Sequence, residues 1–181
     1  MVEQDFRNQY RKMTRTQILE EEREVSPELA EQARGEIKAW IADASPHTSK
    51  FLITLRKDGR PHARPVSAFV EGWTIGTISQ GEHLKNQHVR NNPVVGYLWV
   101  EKNPAAGTWS KSVWVQGVAE VVEDEAEVQA FFDRREARTG MGNNHPDENW
   151  TKLLFRVTPT ILRAEGFLGP NRPVLLRDFS Y

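Results

Sequence analysis

A guanidinium set in an otherwise apolar row is the first sign of chemistry in this chain. In Arg60-Pro61-His62-Ala63-Arg64-Pro65-Val66, alternation puts His62, Arg64, Val66, Ala68 and Val70 on one face of a strand. Pro65 has no N–H to give a ladder, so the strand is an edge or is bulged there. Arg64 has two readings of equal standing. Its head snorkels to water, or it is aimed at a phosphate. Further on, a strand ending in Thr77-Ile78-Ser79 empties through Gln80-Gly81 into a short helical segment carrying His83, Lys85, Asn86 and Arg90. A helix start leaves backbone N–H groups unpaired and presents the positive end of the helix dipole, which suits an anion. Lys85 stands near that start, where a cation opposes the dipole. An exposed lysine tolerates this at a cost of a few tenths of a kcal/mol, whereas a charge-assisted hydrogen bond to phosphate contributes roughly 1.5–3 kcal/mol. Ser79 and Glu82 have the spacing of a capping box, a purely structural role for Ser79.

Other chemistries find less support. His83 and His88 are five apart, about 140° round a helix, so they cannot chelate one metal from one face. His47, His62 and His145 show no ligand spacing either. With no cysteine there is no thiolate and no disulfide, so redox chemistry has to come from a bound cofactor. Trp73, Trp99, Trp109 and Trp114 read first as core or interface packing, and second as a stacking surface for a flat heterocycle. Nucleophile elbow, Walker loop and dinucleotide fingerprint are all missing.

The elements that position these residues follow from turn and cap signals. Ser26-Pro27 opens a helix with Leu29, Ala33, Ile37, Trp40 and Ile41 on one stripe, ended by Ser45-Pro46. Phe51 to Leu55 is a strand, Asp58-Gly59 a hairpin turn, Arg60 to Val70 a second strand and Trp73 to Ser79 a third, with Glu71-Gly72 between them. Asn92-Pro93 stops the basic helix before a strand from Val94 to Val100. Val113 to Val122 is a fifth strand, with Gly117 where a bend or bulge fits. Asp124 and Glu127 form a capping box for a helix with Val128, Phe131 and Phe132, and Gly140 suits its end. Leu153 to Glu165 is the last long strand, interrupted at Pro159. Six strands joined mostly by hairpins predict a small closed antiparallel barrel. Residues 1–25 read as a polar arm, 26–167 as the domain, and 168–181 as a tail lying on the barrel or on a partner subunit.

Composition narrows the function. The chain has 181 residues, and its net charge of −1 argues against a general nucleic-acid binder. It contains no apolar run long enough to span a bilayer, and its polar start lacks a signal peptide's apolar centre. These features predict a cytoplasmic protein with no membrane span, and leave both an enzyme and a binding module open.

The order of motifs resembles a known family. Arg60 to Val66 comes first, then Gly72 to Thr77, then Lys85-Asn86-Gln87-His88-Val89 leading to Asn92-Pro93, and finally Ser112 to Val121. This resembles the pyridoxamine 5′-phosphate oxidase-like, FMN-binding split-barrel superfamily over residues 48–122, with weaker continuity to about 167. The resemblance implies a mainly β fold with flanking helices: a six-stranded antiparallel split β-barrel. It further implies a homodimer with FMN at the subunit interface and an oxidoreductase acting on a small-molecule substrate. A barrel this small is filled by its own side chains, which agrees with a flavin held outside it. By position, Arg64, Pro65 and Val66 are implied to run beside the flavin. Thr77, Ile78 and Ser79 are implied to touch the isoalloxazine and ribityl groups, and His83 and Lys85 to hold the phosphate. Trp114 and Gln116 would reach the partner subunit's cofactor. His83 stands where many relatives carry Arg or Lys, and no arginine occupies Gln87 or His88. The resemblance therefore also covers a branch that uses the deazaflavin coenzyme F-420 and non-catalytic stress proteins that bind a flavin or a tetrapyrrole. Nothing in the residues selects vitamin B6 oxidation.

Overall fold

In a computed structural model, the structure is described for residues 27–43, 48–105, 110–140, 151–169 and 173–179. The arm over 1–25, most of the link at 139–149, Trp109, and the signals at Ser26 and Ser45-Pro46 lie outside these residues. The chain runs α1 (Pro27–Ala42), β1 (Thr48–Leu55), β2 (Pro61–Pro65), β3 (Ala68–Glu71), β4 (Thr74–Gln80) and α2 (Leu84–Asn91). It continues through β5 (Val94–Glu101), β6 (Ser112–Val122), α3 (Glu125–Thr139), β7 (Lys152–Glu165) and β8 (Val174–Leu176).

All strand pairs are antiparallel, in the order β2-β1-β5-β6-β7-β4-β3, with β8 added beside β7. The two ends of that path, β2 and β3, are joined by only Val66 and Ser67, so the sheet curls back on itself. The expected six strands become eight among the described residues. The strand expected from Arg60 to Val70 is broken in two, pairing with β1 before Pro65 and with β4 after Ser67. Proline at the break cannot donate to a ladder, which lets the chain leave one neighbour for another. The eighth strand comes from the tail, where Val174–Leu176 pairs with Leu162–Ala164. The expected interruption at Pro159 does not occur. β7 runs unbroken through it, because Pro159 falls at the register shift opposite Gly117, where no ladder donor is needed. Gly117 is the predicted bulge site.

Tyr97, Trp99, Leu52, Val115, Phe155 and Leu162 fill the inside of the curl, each with 1% exposure or less. Ala33, Ile37 and Ile41 of α1 join that core, where the helix lies against β3 and β8, as the stripe in the sequence predicts. The tail closes over the same region, with Phe179 edge-on to Trp73 at 5.4 Å and Phe167 edge-on to Trp40 at 5.6 Å. A second cluster lies outside the curl, where Val128, Phe131 and Phe132 of α3 pack on Phe69, Val122 and Leu154. Burying each of those large side chains contributes roughly 1.5–3 kcal/mol. The ends of α3 are as predicted. Asp124 accepts from the Glu127 amide, and Gly140 is left-handed at φ 67°. No helix among the described residues is long and apolar enough to cross a membrane.

Candidate functional site

Register fixes which way the basic residues face. Leu52 pairs with Arg64 and Thr54 with His62, and cross-strand partners share a face. Leu52 and Thr54 are both fully buried. Arg64 and His62 therefore point to the inner side of the sheet, at the end where β1 finishes. Helix α2 lies against β1 at that end and inserts Lys85, Asn86 and Val89.

Five basic groups meet there. Arg64 Nη2 donates to His62 Nδ1 at 2.9 Å, while its Nε is buried with no partner. Lys85 Nζ reaches the Ile78 carbonyl at 3.4 Å. His88 Nδ1 lies 3.0 Å from Thr54 Oγ1, and its ring centre is 5.9 Å from that of His62. Arg56, just after β1, is the fifth basic group, and its charge acts on His88. Burial and then the Arg64 charge bring the Lys85 amine down from 10.5 to about 8. Burial, with Arg64, His62 and Arg56 behind it, holds His88 below its ordinary value, against a smaller opposite pull from Asp58. Burial also lowers Arg64. Among the described residues no carboxylate pairs with Arg64 or Lys85, and Asp58 lies 3.6 Å from Arg56 and 3.9 Å from Arg60. Cations that depress one another, with an orphaned guanidinium N–H among them, make a site suited to an anion.

The supporting residues are tied down. Ser79 does not cap the helix. The cap position is His83, whose side chain makes no capping bond, because α2 begins only at Leu84. Ser79 Oγ instead donates to Asn86 Oδ1 at 2.5 Å, and Asn86 Nδ2 holds the Gln80 and Gly81 carbonyls at 2.5 and 2.8 Å. This knot fixes the turn that aims Lys85. Thr77 is buried and accepts from Tyr97 at 2.8 Å. Burial raises the Tyr97 phenol far above its usual value, and the bond to Thr77 offsets this only in part. Of Thr77, Ile78 and Ser79, it is Ile78 that is half-exposed, and its carbonyl faces Lys85. His83 is exposed at the start of α2.

Pro65 and Val66 line a separate cleft of about 300 Å³, together with Lys50, Phe51, Ser67 and Arg135. Burial lowers the ionisation of both Lys50 and Arg135. Lys50 Nζ is within 3.3 Å of the Asp43 carbonyl and 3.4 Å of the Ala68 carbonyl. Trp114 and Gln116 lie on the outer face of β6. Phe51, Leu98 and Trp114 form one cross-strand row there, Ile53, Gly96, Gln116 and Ile161 the next, and Val94 with Val118 a third. A Cβ on Gly96 would stand 3.5 Å from Trp114 Nε1, so the indole lies across that glycine. Val94 is 41% exposed and Val118 47%, and the face is apolar along most of its length.

Arg64 and Lys85 thus come together, Pro65 and Val66 lie at the neighbouring cleft, and Trp114 and Gln116 stand on a third surface. His62 and His88 are additions to the cationic group. Their signal was in the sequence, since His62 shares the Arg64 face and His88 is one helical turn from Lys85.

A model of the pyridoxamine 5′-phosphate oxidase family matches residues 33–163. Among solved structures the fold is similar to general stress protein 26 of Bacillus anthracis, with TM-score 0.55, 19% identity, and 80% of this chain and 99% of that one covered. An F-420 reductase superposes with TM-score 0.52 and 19% identity over 66% of this chain and 91% of that one. A heme binding protein from Mycobacterium smegmatis gives TM-score 0.58 and 20% identity over 84% of this chain and 59% of that one. At such identities the likeness is one of fold alone. No curated protein matches.

Proposed function

Because this chain belongs to the pyridoxamine 5′-phosphate oxidase family, we propose that it is an FMN-dependent oxidoreductase working as a homodimer. The observation that carries this reading is Arg64, whose buried Nε lacks a partner beside Lys85 and two histidines, with no carboxylate paired to Arg64 or Lys85 among the described residues. That arrangement fits the terminal phosphate of FMN, with Arg64 and Lys85 holding it. The bound flavin would supply the hydride or electron transfer for which this cysteine-free chain has no group of its own. Pro65 and Val66 would flank the ring, and the 300 Å³ cleft they line admits a small substrate. Lys50 and Arg135 at that cleft favour a substrate with an anionic group. The outer face bearing Phe51, Ile53, Leu98 and Trp114 would be covered by a second copy, which would put Trp114 and Gln116 beside the partner's cofactor.

The deazaflavin coenzyme F-420 is the second reading. It is favoured by the exposed His83 at a phosphate position, which offers a weaker grip than arginine. Absorption and mass spectra of the purified protein, followed by titration with FMN, F-420 and riboflavin, separate the two. Micromolar binding of FMN with much weaker binding of riboflavin supports the first. Binding of F-420 alone supports the second, and binding of none of them removes both. Turnover with a nicotinamide donor then distinguishes an enzyme from a protein that only stores or senses its cofactor.

A further inference from the structure

A guanidinium can only donate hydrogen bonds, so the 2.9 Å contact from Arg64 Nη2 requires an unprotonated Nδ1 on His62. A doubly protonated His62 would set N–H against N–H and break it. The same guanidinium has a buried Nε with nothing to bind. Arg64 is thus held by a neutral imidazole while half of its donor fork stands ready for another acceptor.

We infer that His62 is a latch on Arg64. An anion entering between Arg64 and Lys85 takes over the guanidinium, and the released His62 takes a proton from solvent and donates from Nδ1 in its turn. This rests on the reading of the site as a phosphate site, and it adds that the phosphate is gripped with net proton uptake. The groups facing His62 agree in sign. Arg64 of its own strand donates to it, the His88 ring of α2 lies 5.9 Å away, and Arg56 just after β1 acts on the same His88, all basic. Asp58, in the turn between β1 and β2, lies near Arg56 and Arg60, and Arg90 of α2 is paired with Glu123. A phosphate dianion offsets the positive charge gathered there, and the released ring can then donate to it. His62 is a positioning residue here, because it acts through Arg64.

The test is calorimetric titration of the intact protein with FMN at pH 7.0, in two buffers of different ionisation enthalpy, for wild type and His62→Asn. The asparagine carbonyl can accept from Arg64 as Nδ1 does but cannot be protonated. Lys85, with a pKa of about 8, is about nine-tenths protonated at this pH and adds little. Any proton change on FMN itself is common to both proteins and cancels. The expected result is that wild type takes up measurably more protons than His62→Asn. In parallel, its FMN affinity falls by up to about tenfold per pH unit above neutrality while that of the variant stays flatter. Equal proton uptake in the two proteins, with FMN still bound, overturns the latch and leaves the phosphate site standing. If neither FMN nor inorganic phosphate binds wild type, the anion site and the latch fall together.

Discussion

Lys85 Nζ donates to the Ile78 carbonyl at 3.4 Å, the long end of a hydrogen bond, although the residue is only 8% exposed. An ammonium this buried with so poor a partner is waiting for a better one. Replacing it with alanine should weaken FMN binding by about tenfold or more, the lower end of a charge-assisted bond. Riboflavin, which lacks the phosphate, should bind Lys85→Ala and wild type alike. Fluorescence titration of both ligands checks this, and equal loss of both would mean that Lys85 shapes the pocket rather than gripping the phosphate.

The same burial predicts how the ligand-free protein responds to pH. The Lys85 amine titrates at 10.5 when unfolded and at about 8 when folded. Between those values the unfolded chain binds more protons, so stability contributed by this residue rises with pH from about 8 to about 10.5. Below 8 the full cost of the buried charge is present. Lys85→Met should therefore raise the urea midpoint at pH 7, by roughly 1–2 kcal/mol of stability after allowance for solvent screening. Its advantage over wild type should shrink towards pH 10.5. Lys50, also lowered by burial, acts in the same direction in both proteins and drops out of the comparison.

Much of this was legible in the sequence because it is local. The cap at Asp124, the left-handed Gly140, the bulge at Gly117 and the α1 stripe each depend on a few neighbouring residues. The division of β2 from β3 was not legible. Pro65 announced an irregular strand, but only long-range pairing decides that one half joins β1 and the other β4. The tail strand was hidden for the same reason, since three residues that pair with Leu162–Ala164 carry too little pattern to be read alone. At the site, Arg64 and Lys85 stood out by residue type. The roles of Thr77 and Ser79 could not be read, because the hydrogen bonds they make with Tyr97 and Asn86 are products of the fold.

The proposed second copy on the outer face gives a prediction of its own. Ile53 sits mid-row between Ala63 and Gly96, half-exposed and with its Cβ 3.4 Å from the position a Gly96 side chain would take. A carboxylate placed there would be unpaired in a dry interface, which is costly for association and nearly neutral for an isolated chain. Ile53→Asp should sediment as a monomer where wild type sediments as a dimer, with its melting temperature in dilute solution little changed. Flavin affinity should fall with it, because the cofactor would lie at the seam. Gln129→Asp on the exposed side of α3 is the control and should change neither. A wild-type protein that is monomeric at high concentration would remove the homodimer.

The contact between β4 and α3 ties the cleft to the packing beneath it. Gly76 lies directly under the Phe131 ring, and a Cβ there would overlap it. Phe131 is 4% exposed and stands edge-on to Phe69 at 5.6 Å, while Arg138 covers Phe69 at 4.5 Å. The ring therefore has nowhere to retreat without lifting α3, and α3 carries Arg135 to the cleft. Gly76→Ala should cost about 1–3 kcal/mol, as overpacking does in dense cores. Phe131→Leu alone should also destabilise, by leaving a gap. Together they should cost less than the sum, because the smaller side chain makes room for the new methyl group. Urea denaturation of the two single variants and the double variant measures this coupling. Strict additivity would mean that α3 is not seated on Gly76 in the way these distances require.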